Sequence, residues 1–264
     1  MPKFVITILL IIGISFSLRA QTWELGGAIG GSGYMGDLNP TQPIKPSGVA
    51  VGGFVQRNFN QYLSAKLNYT FGTISAADSN SSNQQFKTRN LSFHTTLKEL
   101  ALIGQFNFMK YLTAVSHNRY TPYIYLGIAI VGYNPQATYN GQTYDLRPLL
   151  TEGEAKPYGK TAIAIPYGAG IKYNIAGNFN IMAEIGYRQP NTDYLDDVSG
   201  NYPNPAKLPS DLSRILSDRS GEKTGTYIGT PGTERGDNRA RDTYMFMQFG
   251  ISYTFVSQNC YFEQ

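Results

Sequence analysis

The sequence predicts an all-β fold: a transmembrane antiparallel up-and-down β-barrel of about eight strands with long extracellular loops. Three observations carry this expectation. The first is the stretch Tyr244-Met-Phe-Met-Gln-Phe-Gly-Ile-Ser-Tyr-Thr-Phe255. In it Met245, Met247, Phe249, Ile251, Tyr253 and Phe255 alternate with Phe246, Gln248, Gly250, Ser252 and Thr254. A strand sends successive side chains to opposite faces, so this segment has one large apolar face and one mostly small or polar face. About 9–11 residues suffice for a tilted strand to cross a bilayer. The second is the sorting of connections, which alternate long and short along the chain. Outer-membrane barrels do this, with short periplasmic turns, long extracellular loops and an even strand number. The third is composition. Charged residues make up 15% of the 264 residues, against about 25% in a typical soluble domain. One cysteine among them excludes a disulfide-stapled secreted fold.

Residues 1–20 read as a secretory signal. Lys3 supplies the positive start, residues 4–16 the apolar run, and Ser17-Leu-Arg-Ala20 a cleavage site before Gln21. A retained anchor is the alternative, but the run falls short of the ~20 apolar residues that a spanning helix needs. No cysteine follows the run, so lipid anchoring is not expected. No other long apolar run follows residue 20, which excludes a helical membrane protein.

The barrel is then expected over 21–255. Strand one covers 23–31, with Trp23, Leu25, Gly27 and Ile29 against Glu24, Gly26, Ala28 and Gly30. An Asn- and Pro-rich loop follows at 34–46. Strand two is 49–56, with a tight turn at 57–60. Strand three is 62–72, with Leu63, Ala65, Leu67, Tyr69 and Phe71 on one face and Ser64, Lys66, Asn68 and Thr70 on the other. A polar loop without apolar period spans 75–90. Strand four is 97–108, and a medium connection runs 109–119. Strand five is 120–133, a long loop 134–159, strand six 160–173, a tight turn 175–178 and strand seven 179–188. The longest loop, 189–241, precedes the closing strand 244–255. Within it, Ser210-Asp-Leu-Ser-Arg-Ile-Leu216 has a capping residue and a helical spacing of Leu212, Ile215 and Leu216, predicting a short helix. Residues 221–238 are expected to be mobile. Residues 256–264 form a periplasmic tail.

Strand parity assigns Glu24, Lys66, Glu99, Lys172, Glu184 and Arg188 to the lumen face. Lys or Arg on a lipid face costs roughly 2–4 kcal/mol at the midplane. An eight-stranded interior is just wide enough for side chains to fill. The expectation is a paired ionic network that plugs the lumen, with Glu99 and Glu184 deepest. The alternative reading leaves these charges solvated at the rims. Tyr34, Tyr62, Phe71, Phe108, Tyr120, Tyr133, Tyr173, Phe179, Tyr187, Tyr244 and Phe255, at strand ends, read as interfacial aromatic girdles.

Nothing in the chain calls for catalysis or a cofactor. The only histidines, His94 and His117, have Ser92 and Ser116 as neighbours but no acid at a recognisable spacing. Asp193, Asp196 and Asp197 could ligate a hard cation such as calcium. They lack the spacing and turn glycine of a known loop, so solvated loop acids are preferred and no metal is expected. The net charge of +4 forms no basic stripe, so no nucleic-acid partner is expected. Cys260 is a lone thiol, either an intermolecular contact or an unpaired residue in a loose tail.

Three stretches resemble one family. Trp23-Glu-Leu-Gly-Gly-Ala-Ile-Gly-Gly-Ser-Gly-Tyr-Met-Gly-Asp-Leu-Asn39 is similar to the start of the PorG-like outer-membrane barrels of the type IX secretion system of Bacteroidetes. So is Tyr187-Arg-Gln-Pro-Asn-Thr-Asp-Tyr-Leu-Asp-Asp-Val-Ser199. The third is the Ile251-Ser-Tyr-Thr-Phe255 ending with a tail holding one cysteine. Gly36, Asp37, Leu38 and Asn39, with Asp193, Tyr194, Asp196 and Asp197, are the family-like positions. The resemblance implies a non-enzymatic protein of the cell outer membrane, in contact with lipid and without a small-molecule substrate. It implies association with a periplasmic ring of a lipoprotein and a partner subunit, PorK- and PorN-like. The ring would be held near the translocon that exports proteins with a C-terminal sorting domain. A periplasmic partner surface would then include Arg57, Asn60, His117, Arg119 and Cys260. The family-like motifs fall at the opposite, extracellular end, where Asx turns and hydrogen bonds would give them a role in loop structure. A stand-alone structural or adhesive barrel of OmpA/OmpX shape and a solute channel of OmpW type are the competing readings. The filled lumen disfavours the channel.

Overall fold

The computed structural model describes residues 22–111, 113, 118–237 and 239–255. The expected signal segment, His117, Ser116 and the tail with Cys260 lie outside the described residues. Nine strands are present among those described: β1 (Thr22–Met35), β2 (Pro46–Asn58), β3 (Leu63–Ala77), β4 (Ser92–Asn107), β5 (Tyr120–Tyr139), β6 (Gln142–Asp145), β7 (Thr161–Ala176), β8 (Phe179–Pro190) and β9 (Thr243–Phe255). Eight of them pair antiparallel in the order β4-β3-β2-β1-β9-β8-β7-β5, and a β4–β5 ladder closes the ring. The fold is a closed up-and-down barrel with no free edge among these eight strands. The short β6 extends β5 as a hairpin above the ring.

Alternation sets which side chains face out. In β4, Leu100 and Leu102 are exposed while Leu97, Ala101 and Ile103 are buried. The outward set around the ring includes Ile29, Val51, Leu67, Leu126, Ile128, Ile163, Ile181 and Phe249, an unbroken apolar wall. Exposed aromatics ring the end that carries the short turns. Phe106 packs between Tyr62 and Phe108, Tyr253 between Phe179 and Phe255, and the Arg57 guanidinium lies 5.0 Å over the Trp23 ring.

The strands outrun their expected limits mainly at the long-loop end, where both faces become polar and the period fades. Three expectations are corrected there. The 75–90 loop is occupied by the end of β3, a 3-10 turn at Asp78–Asn80 and helix α1 (Gln84–Arg89), capped by Asn83. The 134–159 loop begins as a continuation of β5 that turns at Asn140-Gly141 into β6. Both turn residues have positive φ (50° and 77°), which Asn and Gly tolerate best. The 221–237 stretch, expected to be mobile, is pinned by buried Arg235 and contains helix α3 (Gly221–Thr224). Helix α2 (Asp211–Ser217) forms where its spacing indicates, with Ser210 Oγ accepting from Ser213 N at 3.1 Å. Tyr34, Tyr133 and Tyr244 are not girdle residues: they share the parity of the lumen face and are buried. Met245 has outward parity but is buried too.

Candidate functional site

The lumen is built in layers of side chains from successive inward positions. Next to the short turns, Asn180 Oδ1 accepts from Tyr111 Oη at 2.6 Å and Thr113 Oγ1 at 3.0 Å, so these two side chains close the barrel floor. Above it, Lys172 Nζ lies 3.1 Å from both oxygens of Glu24, of which Oε2 also accepts from Gln56 at 3.3 Å and Asn58 at 3.4 Å. The next layer pairs Lys66 Nζ with Glu184 Oε2 at 2.9 Å, and Tyr123 Oη donates to the same oxygen at 2.8 Å. Gly186 is required beside this layer, because a Cβ there would strike the Tyr125 ring and hydroxyl. Higher still, Arg188 Nε lies 3.3 Å from Glu99 Oε2, Tyr244 Oη donates to that oxygen at 2.7 Å, and the guanidinium covers the Phe246 ring at 4.5 Å. All six charges assigned to the lumen by parity are buried, in three acid–base pairs. Each is therefore neutralised where hydration is lost.

The long loops close over the other end. The family-like positions meet here. Gly36 and Asn39 bridge a tight turn that presents Asp37 inward and buries Leu38. Asn39 Nδ2 ties that turn to Tyr34 O at 2.6 Å and Gln42 O at 3.0 Å. Asp37 Oδ1 accepts from Asp237 N at 2.6 Å. Asp242, just before β9, accepts from Leu195 N at 2.9 Å through Oδ2 and from Tyr34 Oη at 3.3 Å through Oδ1. Tyr34 Oη also donates to Asp196, whose other oxygen accepts from Val198 N at 2.9 Å in an Asx turn. Asp193 completes the group. One carboxylate oxygen from each of Asp37, Asp193 and Asp242 lies within 4.8 Å of the other two. Burial among like charges pushes Asp37 up to about 7 and Asp193 up to about 6, and lifts Asp196 and Asp242 well above the usual carboxylate range.

The trio Asp193, Asp196 and Asp197 does not converge. Asp197 points away to Tyr158 Oη at 2.6 Å and to Thr151. Tyr194 stacks on Tyr158, with ring centroids 4.5 Å apart, and Tyr158 on Tyr133 at 6.4 Å. The cations of this region are engaged elsewhere. Arg89 donates to the Asp78 carboxylate at 2.8 Å twice, to Arg235 O at 2.6 Å and to Asp37 O at 3.0 Å. Arg235 donates to Glu152 at 2.8 Å, Asp197 O at 2.7 Å and Ser217 O at 3.0 Å. Asp78, Arg89, Glu152, Arg235 and Asp242 lie in segments without period, where no residue-type pattern signals burial.

The positions assigned to a partner surface lie at the short-turn end. Arg57 is half-buried on Trp23, and Asn60 is exposed and caps its turn by accepting from Tyr62 N and Leu63 N at 2.8 Å each. Arg119 is exposed beside β5. His94 is exposed on β4, and Ser92 Oγ accepts from Arg219 at 3.0 Å.

A family model described as "Domain of unknown function (DUF6089)" matches residues 3–210. No curated protein matches the chain. Among solved structures, Neisserial surface protein A (NspA) is similar at 11% identity, covering 90% of this chain and 98% of that one, with a TM-score of 0.42. The N-terminal β-barrel domain of Pseudomonas aeruginosa OprF gives 14% identity, 90% and 100% coverage, and 0.39. Ail, the attachment invasion locus protein of Yersinia pestis, in complex with the heparin analogue sucrose octasulfate, gives 11%, 89% and 97%, and 0.39.

Proposed function

We propose that this chain, which belongs to the DUF6089 family, is a non-enzymatic outer-membrane barrel that works through its two ends and not through its lumen. The observation that carries this reading is the stack of three buried ion pairs, Glu24–Lys172, Lys66–Glu184 and Glu99–Arg188. A solute path along the axis would have to break them, and each broken pair leaves a buried charge unpaired, at a cost of roughly 3–5 kcal/mol. A membrane location is supported by the apolar wall, with Ile29 67% and Leu126 62% exposed. A soluble protein rarely shows water a continuous apolar surface of that kind.

Two surfaces remain for partners. The likeness of 23–39, 187–199 and 251–255 to PorG-like barrels favours a place in the type IX secretion system, with the short-turn end on a periplasmic ring lipoprotein and its partner subunit. Arg57, Asn60 and Arg119 are the candidate contacts. A stand-alone OmpA/OmpX-like role is favoured by a different feature. A cleft of about 600 Å³ opens among the long loops, lined by Asn39, Gln42, Ser47, Asn83 and Phe86 among others.

The test is a mild-detergent pull-down of the tagged protein from its native outer membrane, read by mass spectrometry. Co-purification of a lipoprotein and a ring subunit, weakened by Arg57→Glu with Arg119→Glu, is the expected result. Recovery of the barrel alone, under conditions that keep other envelope complexes intact, rejects the ring role and leaves the loop end as the binding surface.

A further inference from the structure

We propose that Asp37, Asp193 and Asp242 form a binding site for one hard divalent cation, calcium by its chemistry, which staples the long loops over the barrel mouth. Two oxygens each about 2.4 Å from one calcium ion can be at most about 4.8 Å apart. The three carboxylate oxygens here meet that limit in every pair. They come from three separate segments: the turn after β1, the start of the β8–β9 loop and the residue before β9.

A second observation is independent of the clustering. Asp193 is 9% exposed, and its Oδ1 has no hydrogen-bond partner among the described residues. A buried carboxylate oxygen without a donor is costly, and it is the atom a cation would take first. Among the described residues, Ser199 is the one hydroxyl that reaches the Asp193 carboxylate, and the side chains around it offer no positive charge. Asp196 and Asp237 add negative charge, and Tyr34 Oη is spent on Asp196 and Asp242. Arg89 reaches the backbone oxygen of Asp37 and not its carboxylate. Arg239 Nε lies 3.1 Å from Asp237 Oδ2. Gly36 lets the turn pack close to this group: a Cβ there would strike Asp242 Oδ1 and the Tyr34 hydroxyl. Calcium is favoured over magnesium because it accepts irregular sets of six to eight oxygens, whereas magnesium demands a near-ideal octahedron.

The experiment uses the full-length protein folded in detergent and freed of metal with a chelator. Calcium chloride is titrated in by calorimetry, and folding is followed by heat-modifiable gel mobility. The expected result is one calcium per chain, a raised unfolding temperature, and protection of the 191–242 loop from protease. Asp193→Asn weakens binding at least tenfold, while Asp211→Asn, an exposed acid of the same loop, leaves it unchanged. Absence of calcium binding, or equal binding by wild type and Asp193→Asn, overturns the proposal and leaves the cluster as carboxyls that share protons. Should Asp193→Asn fail to fold, Asp37→Asn replaces it under the same criteria.

Discussion

Along the barrel axis Glu24, Glu99 and Glu184 are buried beside Lys172, Arg188 and Lys66. A short way up, Asp37, Asp193, Asp196 and Asp242 are buried with no base among the described residues against their carboxylates. Both regions give up the hydration of charge. The lumen recovers most of it internally by one-to-one pairing of charge, with only Glu99 Oε1 and the Arg188 Nε and Nη2 of its charged atoms left without a hydrogen bond among the described residues. The mouth is left with surplus negative charge, which needs protons or a cation. The difference separates a wall that only has to stay shut from a lid that can respond to its medium.

The largest expected effect breaks the balance of the lumen. Glu184→Met strands Lys66 and is expected to cost roughly 3–5 kcal/mol in urea unfolding from lipid vesicles. Adding Lys66→Met should recover most of that loss. A double variant no better than the single would mean that the pair is not the unit of balance. Next in size is a charge on the other side of the same wall. Leu126→Arg, on the exposed face, is expected to cost roughly 2–4 kcal/mol in the same assay. A neutral result would show that this face does not meet lipid.

At the mouth, Asp197 is raised by burial to about 7, although Arg235, Thr151 and Tyr158 pull it down. Its unfolded value is about 3.9, so the fold holds this proton more tightly than the unfolded chain does. Stability from this group is therefore full below about pH 4 and is lost as pH rises through about 7. Asp197→Asn does not titrate, and its backbone (φ 70°) suits Asn. Relative to wild type it should gain at least about 1.4 kcal/mol, one pKa unit, between pH 5 and pH 8. Parallel pH profiles for the two proteins would refute this. The smallest effect is at Arg214, whose pair with Asp211 is 48% and 90% exposed. Arg214→Ala should shift stability by no more than about 0.5 kcal/mol. A larger loss would show that α2 carries load in the lid.

The sequence made the barrel wall legible because a strand repeats every two residues and the wall is apolar on one side only. The same parity picked out all six lumen charges. It also contained the orientation of Tyr34, Tyr133 and Tyr244, which share the inward parity of their strands. Reading them as girdle residues let residue type outweigh position. The lid was not legible for a physical reason. Arg89, Arg235 and Asp242 are buried by contacts between segments far apart in the chain, and no local period marks them. One signal was present and unread: Asn140-Gly141 is a hairpin turn inside what looks like a featureless loop.

The β1–β9 ladder, running from Trp23↔Phe255 to Met35↔Thr243, has a consequence for assembly. Its partners are the most distant in the chain, so it bears the greatest loop-closure entropy and should zip last. Residues 191–242 have to reach their side before that seam shuts, since a sealed wall passes no polar segment. The chain's single tryptophan, Trp23, stands on the seam with Arg57 over its ring. Its emission is thus a built-in clock for the final step, expected to reach its native value only with the slowest refolding phase.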